Sequence, residues 1–370
     1  MVADLLRVQA LLYMATPFIA LPQALLSRAM DFRKQALVNF VSALAGAITA
    51  LAGALAGLGV WTLVAAPIAL FATRAIGMTI AARSLLWPSF DFRGAGDIAR
   101  YGGVMATGQL FWFAQSQADV FIAGRLFDPH TLGIYTTSLF LTQIFVAKFV
   151  PPLNEVAFSA YARLKDDKAA VAAAFTKSAR LIMVVAMPFY LGMAATADPL
   201  VAVALGPKWR EAAPVVHWLA LAMPMMTLQI LYAPASDACG RPGISAQNSA
   251  TGALCLPIAF LIGVHWGLMG LVAAWFAAYP VYLAVSTWRT LPVIGVKLGA
   301  LIEAIAPPVL AAGAMALLVT GLDSLLPPLP ALPHLALLAG TGGLVYGGLL
   351  FLFARPMLIE SINLIRNRHG

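Results

Sequence analysis

The chain is organised as long apolar runs separated by short polar ones. Eleven such runs stand out, at roughly 8–26, 37–56, 60–82, 98–123, 132–154, 179–203, 213–236, 246–265, 268–288, 299–321 and 334–354. Most reach the ~20 residues that carry an α-helix across a hydrocarbon core of about 30 Å. The runs are continuous, with no alternation of apolar and polar positions, so helices and not barrel strands are predicted. Prolines fall inside several of them (Pro17, Pro67, Pro188, Pro224, Pro257, Pro280). Membrane helices tolerate such prolines, because neighbouring helices satisfy the freed backbone groups. The pattern predicts an all-α integral membrane protein of about eleven transmembrane helices.

The polar runs are sorted by charge. Alternate loops hold Arg28, Arg33, Lys34, Arg83, Arg93, Arg100, Arg163, Lys165, Lys168, Lys177, Arg180, Arg241, Arg289, Lys297, Arg355, Arg366 and Arg368. The intervening loops hold only Arg125, Lys208 and Arg210. By the positive-inside rule the first set faces the cytoplasm, which puts the C-terminus inside and Met1 outside. Residues 1–22 fit a cleaved signal peptide poorly: Asp4 falls in the would-be basic region, and no small-x-small site follows. Residues 160–178, where Tyr161, Leu164, Val171 and Phe175 are interspersed with lysine and aspartate, read as an amphipathic helix lying at the membrane surface.

Composition narrows the class. Of 370 residues 61% are hydrophobic and only 10% charged, against about 25% charged in soluble domains. Soluble, disordered and disulfide-stapled classes are excluded, the last by a count of two cysteines. The net charge of +8 does not imply nucleic acid, because the basic residues belong to membrane loops, not to one basic face.

A weak internal repeat relates 7–83 to 217–290. Ala10-Leu11, Gly53 and Gly57-Leu58 recur as Ala220-Leu221, Gly263 and Gly267-Leu268, and Leu-Val-Ala-Ala occurs at 63–66 and 271–274. This predicts three regions. Residues 1–96 form the second half of an N-terminal lobe, 97–290 a complete six-helix lobe, and 291–370 two added helices and a cytoplasmic tail. Parallel six-helix repeats are a transporter plan. On that plan the first repeat would begin about 113 residues before Met1, so the chain reads as a partial transporter.

Several motifs, in order, resemble one family. They are Ala24-Leu-Leu-Ser-Arg28-Ala-Met-Asp-Phe32-Arg33-Lys34 with Gly57-Leu-Gly59-Val60-Trp61; Ala118-Asp119-Val-Phe-Ile-Ala-Gly124-Arg125 with Leu132-Gly133-Ile-Tyr135; Tyr161-Ala-Arg163-Leu164; and Gly206-Pro-Lys208-Trp209-Arg-Glu-Ala212. This set resembles the polysaccharide-transporter branch of the multidrug/oligosaccharidyl-lipid/polysaccharide exporter superfamily. The resemblance implies a remnant of a fourteen-helix, two-lobe fold lacking its first three helices. It also implies a bacterial inner-membrane flippase that moves undecaprenyl-diphosphate-linked oligosaccharide by alternating access. The implied partners are the lipid-linked oligosaccharide, membrane lipids and the polysaccharide assembly machinery. No cofactor is implied, and a proton or sodium gradient would supply energy.

Ionisable groups inside spans are costly and default to functional candidates. Arg74, about nine residues into the third span, is a candidate diphosphate contact. The alternative is that it snorkels or pairs with a buried carboxylate. Lys148 is a second candidate cation, and Gln115 and Gln143 are neutral candidates for substrate contact. Asp119 and Glu155 are candidate ion-coupling carboxylates. Gln115 and Asp119, four residues apart, share a helix face, as do Lys148 and Glu155, seven apart. For Asp119 the alternative is a packing bond near the interface, paired to Arg125; Glu155 and Glu303 also read as interface carboxylates. Gly53-x-x-x-Gly57 and Gly263-x-x-x-Gly267 read as packing faces. The five histidines and two cysteines have no ligand spacing, and no phosphate-binding glycine loop suggests ATP. Other functions stay open: a cation-coupled multidrug exporter of the same superfamily, a membrane polysaccharide polymerase or ligase, or an inactive truncated flippase.

Overall fold

The computed structural model describes residues 2–29, 31–84, 95–327 and 329–353. The last basic loop, with Arg355, Arg366 and Arg368, and the loop containing Arg93 lie outside them. Fourteen α-helices appear among the described residues, with no strand. Nine continuous helical segments are long and apolar enough to cross a membrane. One of them, Pro242–Ile294, is 53 residues long and folds back on itself near its middle, which makes two passes. The 32-residue helix Ala95–Leu126 has the length for another. The eleven-helix expectation is therefore met.

The helices group into two compact units, one ending at Ala95 and one beginning at Gly96. In the first, α1 (Val2–Ala10) leads through a 3-10 turn into α2 (Thr16–Arg28). Then α3 (Phe32–Leu55) and α4 (Thr62–Ala82) form an antiparallel hairpin. Asp31 caps α3 by accepting from the Lys34 amide at 3.2 Å, and a bond from the Lys34 ammonium helps hold its carboxyl below the usual range. Leu37, Phe40, Leu44, Ile48, Leu51 and Leu55 recur at three- and four-residue spacing along α3 and stay exposed. That stripe suits lipid. The opposite face carries Ser42, Gly46 and Gly53. A β-carbon at Gly46 would lie 3.2 Å from Leu70, and one at Gly53 would lie 2.8 Å from the Thr62 hydroxyl. Small residues thus let the hairpin close, as expected where packing and not water drives association.

The second unit contains α5 (Ala95–Leu126), α6 (Pro129–Leu164), α7 (Lys168–Ala195), the short α8 (Ala197–Ala204), α9 (Ala213–Ile230), α10 (Tyr232–Ala238), α11 (Pro242–Gly263), α12 (Gly267–Ile294), α13 (Leu298–Leu325) and α14 (Ala331–Phe353). Its centre is α9, which packs on α6, α7 and α12 and buries Val215, Val216, Leu219, Ala220, Ala222 and Met223. The last two helices are joined to it through α7. α13 lies along α7, and the Tyr346 hydroxyl of α14 donates to the Val184 carbonyl at 2.7 Å.

Two sequence expectations are corrected. Residues 160–178 are not a separate surface helix. Residues up to Leu164 complete α6, and α7 begins at Lys168, well before the expected start at 179. The Asp167 carboxylate accepts from the Ala169 and Ala170 amides, and the alanine-rich run that follows propagates helix readily. Tyr161, Val171 and Phe175 are fully buried, with Phe175 stacked on Tyr232, so the apolar face that suggested a membrane surface meets protein instead. The second correction concerns the glycine pairs. Gly53 and Gly263 are packing positions, but Gly57 (φ +71°) and Gly267 (φ +73°) have nothing within 4 Å and serve turns. That the same division of labour occurs in both hairpins agrees with the repeat.

Candidate functional site

A buried polar seam runs along one face of α12. Trp275, Tyr279, Tyr282, Ser286 and Thr290 follow at spacings of four, three, four and four. On a helix these positions share about 80° of arc and span roughly 22 Å of the ~30 Å core. At one end the Trp275 indole donates to the Tyr135 hydroxyl at 3.1 Å, and that hydroxyl donates to Asp119 Oδ2 at 2.7 Å. Tyr279 stacks on Trp275 with ring centroids 5.1 Å apart. At the middle the Gln229 amide donates to the Tyr282 hydroxyl at 2.6 Å, and Gln115 lies against the same tyrosine. At the other end the Asn248 amide donates to the Thr290 hydroxyl at 3.1 Å, and Tyr232 and Thr287 are bonded at 2.7 Å. Gly252 makes the crossing possible, because a β-carbon there would collide with both Gln115 and the Tyr282 ring.

The seam is not closed on itself. Asp119 Oδ1, Gln115 Oε1, Ser286 Oγ and Asn248 Oδ1 are buried with no protein hydrogen-bond partner. An orphaned acceptor in an apolar interior costs about 1–3 kcal/mol, so four along one path are unusual. Asp119 is 2% exposed. Its partner is Tyr135, not Arg125 as the alternative reading had it; the Arg125 guanidinium instead lies 5.1 Å over the Phe121 ring.

The other candidates fall elsewhere. In the first unit Arg74 is half-buried on α4, and its Nη2 donates to Gln23 Oε1 at 3.3 Å. Its Nε is buried without a partner, and among the described residues no carboxylate pairs with it. Of the alternatives to a diphosphate contact, pairing with a buried carboxylate is thus not seen among the described residues, where a neutral amide takes that place. Gln143 is half-buried on α6, while Lys148 and Glu155 are exposed on the same helix. The structure thus brings Gln115 and Asp119 together with residues that sequence reasoning passed over, namely Tyr135, Trp275, Tyr282, Gln229 and Asn248. The available signal was the helical recurrence of hydroxyl and indole groups along 275–290. Among the described residues no cluster of histidine, cysteine, aspartate or glutamate could hold a metal ion.

This geometry can be set beside known proteins. The family model for polysaccharide biosynthesis proteins matches residues 1–214. The chain belongs to that family. It is 23% identical over 326 residues to the teichuronic acid biosynthesis protein TuaB of Bacillus subtilis, covering 86% of this chain and 67% of that protein. It is 24% identical over 225 residues to the succinoglycan biosynthesis transport protein ExoT of Rhizobium meliloti, covering 61% of this chain and 46% of ExoT. Its fold is similar to that of the lipid II flippase MurJ in an inward closed conformation, with TM-score 0.74 and 12% identity over 96% of this chain and 75% of MurJ. The match thus spans about two thirds of TuaB and under half of ExoT. The chain is a multi-pass membrane protein of this family, and its fold is similar to that of MurJ.

Proposed function

We propose that this chain acts in flipping a lipid-linked oligosaccharide, carried on undecaprenyl diphosphate, from the cytoplasmic to the outer leaflet of the bacterial inner membrane. Its first unit is the second half of an N-terminal lobe. Its second unit is the C-terminal lobe with two further helices, and access alternates between the two sides as the lobes rock. The C-terminus is cytoplasmic, on the side of the basic loops.

The observation that carries this reading is Arg74. A guanidinium roughly 13 Å inside the membrane, at nine residues of 1.5 Å rise, is expensive unless an anion meets it. Its protein partner is a neutral amide, and among the described residues no carboxylate pairs with it. A planar fork of this kind suits a phosphate oxygen pair better than any uncharged sugar. In the second unit, Lys148, exposed on α6, is a separate candidate cation, and Gln115 and Gln143 are amides suited to sugar hydroxyls. Asp119, with one orphaned oxygen, and Glu155 are the carboxylates available to a coupling proton or sodium ion.

Charge reversal separates this reading from a multidrug exporter. Arg74→Glu with Lys148→Glu is expected to reduce surface polysaccharide export at least tenfold in a strain relying on this gene, while leaving efflux of cationic dyes unchanged. Loss of dye efflux with intact polysaccharide would favour the drug exporter instead. Shortened glycan chains with normal transfer across the membrane would point to a polymerase.

A further inference from the structure

On the side of the basic loops, three cations from two separate segments line one cavity. Lys165 and Lys168 come from the α6–α7 junction and Arg241 from the turn between α10 and α11. Val171, Cys239 and residues 292–294 at the end of α12 complete the wall. The cavity holds about 370 Å³. We propose that it binds a multiply charged phosphate group, borne on a lipid headgroup or free in solution.

The carboxylates near them in sequence make hydrogen bonds of their own. Asp167 caps α7 through the Ala169 and Ala170 amides, and Asp237 accepts the Ser245 hydroxyl at 2.6 Å. Asp166 does not line the cavity. Among the described residues no ion pair involves Lys165, Lys168 or Arg241. Lys168 also lies close enough to oppose the upward push that burial gives the Cys239 thiol.

The frame is rigid. Gly295, at φ +73°, lets the end of α12 pass against the Lys168 backbone, where a β-carbon would lie 3.2 Å from the carbonyl oxygen. Beneath the junction Tyr161 and Phe175 are fully buried. Three cations lining one cavity favour a group with more than one negative charge, since each charge-assisted bond strengthens with the charge it meets. The cavity lies where α7 begins and α12 ends, among the basic loops that the positive-inside rule assigns to the cytoplasmic side.

The test uses the full-length purified protein in lipid nanodiscs and in detergent. Binding is read by native mass spectrometry and by thermal shift, with cardiolipin, phosphatidylcholine and inorganic pyrophosphate as probes. Wild type is expected to retain cardiolipin or pyrophosphate over phosphatidylcholine. Retention of cardiolipin alone identifies a headgroup, and retention of pyrophosphate a soluble anion. The triple substitution K165Q/K168Q/R241Q is expected to weaken binding of the preferred probe at least roughly tenfold, as all three charge-assisted contacts are lost. Lys168→Arg in the otherwise native chain should keep most of the binding, and Lys34→Gln, in the first unit, should leave it unchanged. Equal binding by wild type and a triple variant of normal thermal stability would overturn the proposal, as would no preference for either anion.

Discussion

Replacing Asp119 with asparagine is expected to abolish polysaccharide export while leaving the protein folded in the membrane. Asparagine keeps the size of the side chain and can still accept from the Tyr135 hydroxyl through its carbonyl oxygen. What it loses is the charge and the capacity to take up a proton or a cation at the orphaned oxygen. If Asp119 only ties α5 to α6, the neutral variant should work nearly as well, because hydrogen bonds between membrane helices average about 0.6 kcal/mol. If it couples transport to an ion, export should fall at least tenfold at unchanged protein level. Tyr135→Phe separates the two roles. It removes the donor and leaves both carboxylate oxygens without a partner, so stability should fall by about 1–2 kcal/mol with export only partly reduced. Membrane abundance and export measured together in both variants distinguish coupling from packing. Full export by Asp119→Asn would remove Asp119 from the mechanism.

The second large effect is at the α11–α12 turn. A β-carbon at Gly263 would press on the Gly270 carbonyl oxygen and lie 2.9 Å from the Ala274 methyl. At Gly270 the reciprocal clash is with the Gly263 carbonyl oxygen, and Trp266 lies 2.6 Å away. These are backbone carbonyl oxygens and β-carbons bonded directly to the backbone, which cannot swing aside as the end of a long side chain would. Gly263→Leu is therefore expected to splay the hairpin at a cost of about 3 kcal/mol. Because α12 carries the polar seam, stability and transport should fall together. The thermal aggregation midpoint of the purified protein should drop by several degrees, and protease cleavage near 263–270 should appear. Gly267→Ala is the contrast. There the β-carbon meets nothing, and only the backbone at φ +73°, ψ −160°, a region essentially confined to glycine, resists, at about 1–3 kcal/mol. Equal tolerance of leucine and alanine at the two sites would show that the hairpin is not closed by glycine contact.

Sequence and structure diverge where tertiary contact decides. The number of membrane helices was legible, because hydropathy over ~20 residues reflects the bilayer and needs no knowledge of neighbours. The start of α7 was not, since burial of Val171 and Phe175 against protein looks the same in sequence as burial against lipid. Gly57 and Gly267 could not be told from packing glycines by spacing alone. Their positive φ is a property of the turn. At the site, single charges were legible. Arg74 and Asp119 are rare in apolar runs, and rarity inside a span is itself the signal. Their partners were harder to find. Gln23 and Tyr135 lie 51 and 16 residues away in sequence, and each is an ordinary residue until the helices pack. The seam along 275–290 was visible as a helical recurrence, but aromatic and small hydroxyl residues are common in membrane helices and carry no charge to mark them.

The claim that this chain serves to move lipid-linked oligosaccharide across the membrane is tested most directly by where that lipid accumulates. Spheroplasts of a strain deleted for the gene, with and without a restored copy, would be probed from outside with a membrane-impermeant enzyme that releases oligosaccharide from its diphosphate carrier. The account predicts that in the deletion strain the lipid-linked oligosaccharide is made but stays protected on the cytoplasmic side. The restored gene should expose it, and the Arg74→Glu copy should not. Equal release from deleted and restored cells would contradict the account.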